Sequence, residues 1–152
     1  MTEFFLNNKK VKAKDDETIW TVAKREGIVL PHLCFADKPG YRADGNCRAC
    51  MVSIEGERVL AASCIRKPTE GMKVITNDER STKSRKMVLE LLVTDQPDRE
   101  TSHDPDSHFW NVASSVDVAK SRFDKREKTI VPCEDASHVA MSVNLDACIH
   151  CN

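Results

Sequence analysis

Cys47-Arg48-Ala49-Cys50-Met51-Val52-Ser53-Ile54-Glu55-Gly56-Glu57-Arg58-Val59-Leu60-Ala61-Ala62-Ser63-Cys64 reads as a loop step followed by a β-hairpin. Residues 50–54 suit a strand, Glu55-Gly56-Glu57 suits a tight turn, and residues 58–61 suit the returning strand. The hairpin delivers Cys64 back beside Cys50. Thirteen intervening residues can therefore still bring two thiols together. The Cys47-x-x-Cys50 step holds Cys50 and one further sulfur-bearing position, Cys47, within one turn of loop. Upstream, twelve residues separate Cys34 from Cys47, so the fold must bring that thiol in from outside.

Four thiolates in the order C-x12-C-x2-C-x13-C supply what a [2Fe-2S] cluster needs, two sulfurs for each of two irons. The plant-type order, C-x4-C-x2-C with a distant fourth cysteine, has the same logic with a shorter first loop. Zinc on four cysteines is the rival reading, although zinc sites usually pair two short C-x2-4-C steps and this stretch has one. Unrelated buried thiols and structural disulfides complete the alternatives. Met1-Thr2-Glu3-Phe4-Phe5-Leu6-Asn7-Asn8 shows neither the basic region nor the apolar run of a secretory signal. A reducing, cytoplasmic location is expected, where cysteine patterns favour metals over disulfides.

Working outward, residues 3–7 and 10–13 flank the polar turn Asn7-Asn8-Lys9-Lys10 and suit a first hairpin. A helix is expected next, with Asp15, Asp16 and Glu17 at its start, Ile19, Val22 and Ala23 on its apolar face and Gly27 as its stop. Pro31 imposes an extended approach to Cys34. Residues 35–46 suit a loop, and residues 72–76 a fifth strand. Two strands, a helix, two strands and a last strand is the order of a β-grasp sheet. The fold class expected is α+β: a β-grasp, ferredoxin-like domain followed by a helical and irregular connector. A second helix starts at Asn77-Asp78-Glu79, with Met87, Val88, Leu91 and Leu92 as its core stripe and Pro97 beyond its end. From Asp98 to Ser137 the patterning fades, leaving Phe109-Trp110, Val112-Ala113 and Phe123 as anchors. The expected organisation is 1–79 as the [2Fe-2S] domain, 80–140 as helix plus connector, and 141–152 as the start of a further module.

Composition removes several classes of function. Among 152 residues, 23 Lys and Arg balance 24 Asp and Glu, so no charge excess points to nucleic acid or an anionic membrane. No apolar run approaches the length of a membrane span.

The loop Pro31-His32-Leu33-Cys34, the run Gly40-Tyr41-Arg42-Ala43-Asp44-Gly45-Asn46-Cys47-Arg48-Ala49-Cys50 and the closure Ala61-Ala62-Ser63-Cys64 make a resemblance specific. With Met87-Val88-Leu89-Glu90-Leu91-Leu92, His103-Asp104-Pro105, Ala136-Ser137-His138-Val139-Ala140-Met141 and Val143-Asn144-Leu145-Asp146-Ala147-Cys148 it extends over essentially the whole chain. The chain resembles the N-terminal region of the catalytic subunit of NAD-dependent molybdenum or tungsten formate dehydrogenases. Those enzymes are related to the large peripheral subunit of respiratory complex I and to NAD-reducing hydrogenases. The resemblance implies one-electron transfer through a [2Fe-2S] cofactor bound by Cys34, Cys47, Cys50 and Cys64. Analogy with plant-type ferredoxins pairs Cys34 with Cys47 on one iron and Cys50 with Cys64 on the other. The implied partners are the rest of the catalytic subunit and its flavin- and NAD-binding diaphorase subunits. A hydrogenase or complex I subunit is the alternative parent, and a zinc-stabilised binding module the alternative class.

Departures from the family are informative. Cys148-Ile149-His150-Cys151 opens the family's C-x2-C-x2-C-x3-C motif, but two thiolates do not complete a [4Fe-4S] site. The chain is accordingly expected to be a piece of a larger oxidoreductase subunit, not itself catalytic on formate, with Cys148 and Cys151 free of a cluster. Complex I relatives carry H-x3-C-x2-C-x5-C after the helix; counting on from His103 gives Ser107, Trp110 and Val116, so no ligand set exists there. Cys133 is expected to be a free loop thiol, His32 a residue that orders the Cys34 loop, His103 and His108 hydrogen-bonding surface residues, and His150 an exposed spacer. Gly45, Asn46, Arg48 and Ala49 are loop positions whose N–H groups can approach the sulfurs. Arg48, between two ligands, is the cation expected to tune the cluster, with a partner-facing role as the alternative.

Overall fold

The computed structural model describes residues 1–130 and 132–151. Two compact units divide the chain, Met1–Val88 and Leu89–Asn152.

The first unit is a five-stranded mixed sheet covered by one helix. Strand β1 (Thr2–Leu6) turns through Asn7 and Asn8 into β2 (Lys9–Ala13), with Leu6 opposite Lys9. Both asparagines have positive φ, 49° and 66°. A two-residue turn of this hand matches the twist of the strands it joins. The turn is tighter than the sequence suggests, and β2 starts one residue earlier. Asn7 also locks the far edge of β1: its Nδ2 donates to Thr76 Oγ1 at 2.8 Å and its Oδ1 accepts from the Thr76 N–H at 2.8 Å.

Helix α1 (Ile19–Arg25) begins later than its acidic stretch implies. Thr18 caps it, the Thr18 hydroxyl accepting from the Thr21 N–H and the Thr21 hydroxyl from the Thr18 N–H. Asp15, Asp16 and Glu17 lie before that reciprocal pair and outside the first turn. Gly27 ends the helix as expected. At φ 78° it lets the Ile28 N–H reach Ala23 O at 2.8 Å.

Strand β3 (Met51–Ile54) pairs with β4, reduced to Ala61–Ala62, and on its other side with β5 (Lys73–Ile75). The returning strand expected over residues 58–61 is thus almost wholly irregular; only Ala61-Ala62, beside the Cys64 turn, keep the ladder. The sheet order is β2-β1-β5-β3-β4, with β1 and β5 parallel. Phe4, Leu6, Val11, Val52, Ile54 and Val74 point to one face and pack with Ile19, Trp20, Val22 and Leu30. Cys50 and Cys64 are themselves members of this core. The expected β-grasp α+β architecture is the one observed.

Helix α2 (Glu79–Asp95) corrects the sequence reading of its faces. Met87 and Leu91 are exposed, at 36% and 49%, whereas Ser81, Arg85 and Leu89 are buried. The buried stripe runs i, i+4, i+8 through polar side chains that keep their hydrogen bonds, a pattern that an apolar count does not detect.

In the second unit, α3 (His108–Ser115) buries Phe109, Trp110, Val112 and Ala113 together with Val118. Ser107 caps α3 by accepting from the Trp110 N–H. Phe123, expected as an anchor, is 40% exposed. Strands β6 (Glu134–His138) and β7 (Met141–Asn144) form a solvent-exposed hairpin where the sequence suggests irregular connector as far as Ser137.

Candidate metal centre

Three structural devices bring the four thiols together. The first is the chain reversal after β3. The Ser63 hydroxyl donates to Cys50 O at 2.7 Å, and the Ser63 N–H reaches the same carbonyl at 3.3 Å. Cys50 and the residue before Cys64 are therefore tied directly. The second is α1, whose first amides are satisfied by the Cys64 turn: the Ile19 N–H donates to Arg66 O at 2.9 Å and the Trp20 N–H to Ser63 O at 3.0 Å. The third is Trp20, which holds the Cys34 arm. Its indole N–H donates to Leu30 O at 3.1 Å, and its ring meets His32 and Phe35 edge-on at 4.7 and 5.0 Å between centroids. His32 thus helps to order the loop, as its sequence position suggests.

The thiols meet as two pairs. The Cys47 N–H points at Cys34 Sγ at 3.5 Å, and the two side chains are in hydrogen-bonding contact. Cys50 and Cys64 form the second pair, both buried. The Cys64 thiol donates to Cys50, which holds Cys50 well below the ordinary thiol range. Cys64 is raised, first by keeping that shared proton and then by burial. Burial likewise raises Cys47. The Ser63 and Cys64 N–H groups are aimed at Cys50, and the Cys34 and Ala49 N–H groups at Cys47. Ala49 is one of the four loop positions expected to do this; Ser63 was not anticipated.

This donor set fits a two-iron cluster. It offers four sulfurs in two pairs with oriented N–H groups, the hydrogen bonds that tune such clusters. A structural zinc ion would need all its sulfurs at about 2.3 Å from one centre.

The loop itself is shaped by left-handed residues. Arg48 sits between two of the thiols at φ 56°, uncommon for a side chain of this size, and is exposed. Gly45 has φ 68° and is buried; a Cβ there would stand 2.8 Å from Ile65 Cδ1. Gly45→Ala is expected to destabilise the apo chain by about 1–2 kcal/mol through its left-handed backbone alone. Urea unfolding measures this. Ile65→Val in the same chain should recover only the steric part.

Of the other cysteines, Cys133 is exposed and Cys148 and Cys151 are half-buried. Cys148 and Cys151 share a second left-handed step, His150 at φ 52°, whose N–H points at Cys148 Sγ at 3.3 Å. His103 lies with Ser107 and Trp110 around a cavity of about 150 Å³ in the second unit.

Residues 1–79 match the family model described as a 2Fe-2S iron-sulfur cluster binding domain. The NADP-reducing hydrogenase subunit HndD of Solidesulfovibrio fructosivorans is 35% identical over 100 residues, covering 64% of this chain and 17% of that protein. The mitochondrial NADH-ubiquinone oxidoreductase 78 kDa subunit of Candida albicans is 35% identical over 95 residues, covering 62% of this chain and 13% of that subunit. A crystal structure of an NAD+-reducing [NiFe]-hydrogenase superposes with a TM-score of 0.82 at 25% identity, covering 99% of this chain and 62% of that one. The chain therefore spans less than a fifth of these two curated relatives. Fold, thiol pairs and family model agree: the chain belongs to the 2Fe-2S iron-sulfur cluster binding domain family.

Proposed function

We propose that Cys34, Cys47, Cys50 and Cys64 hold the [2Fe-2S] cluster, with Cys34 and Cys47 on one iron and Cys50 and Cys64 on the other. The observation that carries this reading is the meeting of the four thiols as two pairs. When bound, the cluster supplies one-electron chemistry at nearly fixed geometry. The chain's own residues do the rest. Ser63 and the α1 amides fix the Cys50–Cys64 pair, Trp20 fixes the Cys34 arm, and burial of Cys50 and Cys64 keeps water from half the ligand set.

The parent complex is proposed to be a cytoplasmic NAD-dependent formate dehydrogenase, with this chain in its catalytic subunit. Residues 1–79 form the cluster domain, 80–140 the connector, and 141–152 the start of a further iron-sulfur module. The resemblance of residues 40–50 and 136–148 supports that parent. The hydrogenase relatives support an NAD-reducing hydrogenase as the second reading. Iron and acid-labile sulfide in the anaerobically purified chain should each approach two per chain; stoichiometric zinc in colourless protein would refute the cluster assignment. The parent is tested by affinity capture of the chain from its native cell. Formate-dependent NAD reduction in the captured complex supports the first parent, and hydrogen-dependent reduction the second.

A further inference from the structure

Reduction of the cluster by one electron adds one negative charge beside Cys50, so a buried cation facing that position would favour the reduced form. Arg48, the cation nearest in sequence, is exposed, and water screens most of its charge. A different arginine occupies the interior. Arg85, on the inward face of α2, is only 8% exposed. Its Nη1 donates to Met51 O at 2.9 Å and its Nη2 to Thr82 Oγ1 at 3.3 Å. Both oxygens are neutral, so its hydrogen bonds leave its charge uncancelled. Met51 directly follows Cys50, which places the guanidinium against the backbone of a buried ligand position.

Burying an arginine is costly, and a structural need to satisfy one carbonyl does not demand a full charge. Burial presses the guanidinium toward its neutral form, while Asp78 and Cys50 are the negative groups that hold it charged. Asp78 is engaged elsewhere, accepting from the Ser53 hydroxyl at 2.8 Å and the Ser81 N–H at 3.4 Å. It offsets Arg85 only at longer range. Arginine remains protonated in proteins, so the charge is fixed across the working pH range.

We propose that Arg85 is a positioning residue for electron transfer: its buried, fixed positive charge raises the reduction potential of the cluster. The inference rests on the ligand assignment above. The electron comes from a reductant such as dithionite through mediators; no bond breaks, and Arg85 is protonated before and after.

The test is an EPR-monitored redox titration of the full 152-residue chain with its cluster, compared with Arg85→Met, Arg85→Gln and Arg85→Lys. Gln retains a donor for the Met51 carbonyl without the charge; Lys retains the charge without the fork. Both neutral variants are expected to disfavour the reduced form about tenfold, a fall of about 59 mV for a one-electron couple. Lys should stay within a third of that shift. The effect of a buried charge should persist from low to high salt, whereas any shift in Arg48→Gln should fade. A wild-type potential in Arg85→Gln, or equal shifts in Gln and Lys, overturns the proposal. If neither neutral variant binds the cluster while Lys does, the charge serves assembly and tuning is refuted. Wild-type protein lacking a reducible [2Fe-2S] signal would instead refute the underlying assignment.

Discussion

Cys50→Ser is expected to reduce bound iron from about two per chain to nearly none, because a [2Fe-2S] cluster requires four strong ligands and serine is a poor substitute for thiolate. The loss should be seen in the visible spectrum and in iron and sulfide content together. Cys34→Ser should have the same effect on iron but a different effect on the polypeptide. Cys50 is buried in the sheet core with Cys64, and Cys34 is half-buried in an irregular arm. Serine at residue 50 is smaller than cysteine and leaves the Ser63 and Cys64 N–H groups aimed at the buried sulfur less well met, and an unmet buried donor costs about 1–3 kcal/mol. The apo chain should therefore be measurably less stable in Cys50→Ser and nearly unchanged in Cys34→Ser. Cys133→Ser, at an exposed position, should retain both iron and stability. Retention of a native spectrum by Cys50→Ser would remove that residue from the ligand set.

The difference between the two thiol pairs shows which parts of this protein were legible in its sequence. Turn chemistry and short β-prone runs disclosed the hairpin and the β-grasp order: Asn7-Asn8 and Glu55-Gly56-Glu57 mark the turns, and the runs around Phe4, Val11, Val52 and Val74 mark the strands. Spacing disclosed the four thiols. The residues that position them were harder to see. Ser63 acts through a hydroxyl bond to a carbonyl thirteen residues away, and no local pattern announces it. Arg85 hides in a helix whose apolar residues suggested another face. Met87 and Leu91 point outward, while Ser81 and Arg85 turn inward to satisfy backbone oxygens at Thr76 and Met51. Hydrophobic periodicity assumes that polar means exposed, and that assumption fails where polar side chains replace missing backbone hydrogen bonds. An arginine spaced i, i+4 from Ser81 and Leu89 was the available signal. The β6 strand was missed for a related reason: its residues, Glu134-Asp135-Ala136-Ser137-His138, are all exposed and carry no alternation.

Trp20→Ala is expected to destabilise the apo chain by about 3–5 kcal/mol, the usual cost of deleting a large buried aromatic side chain. Its consequence for the metal centre should exceed that of an ordinary core truncation. The segment from Leu30 to Asp37 has no helix or strand of its own, yet it carries Cys34. Its position relative to α1 depends on contacts centred on one side chain. The indole N–H bonds Leu30 O before the thiol, and the ring packs against His32 and Phe35 on either side of it. Lys24 lies 5.5 Å from the same ring centre and pairs with Asp37 at 2.8 Å. That last pair is exposed on both sides and adds little. Trp20→Phe separates packing from hydrogen bonding, since it keeps a ring in the core but leaves Leu30 O without its donor, at a cost of about 1–3 kcal/mol. Thermal unfolding should therefore rank wild type above Trp20→Phe above Trp20→Ala. Cluster retention under mild chelation should follow the same order, with Cys34 alkylated first in Trp20→Ala. Equal retention in all three chains, or preferential alkylation of Cys50, would show that the arm is held by the cluster itself and not by the tryptophan.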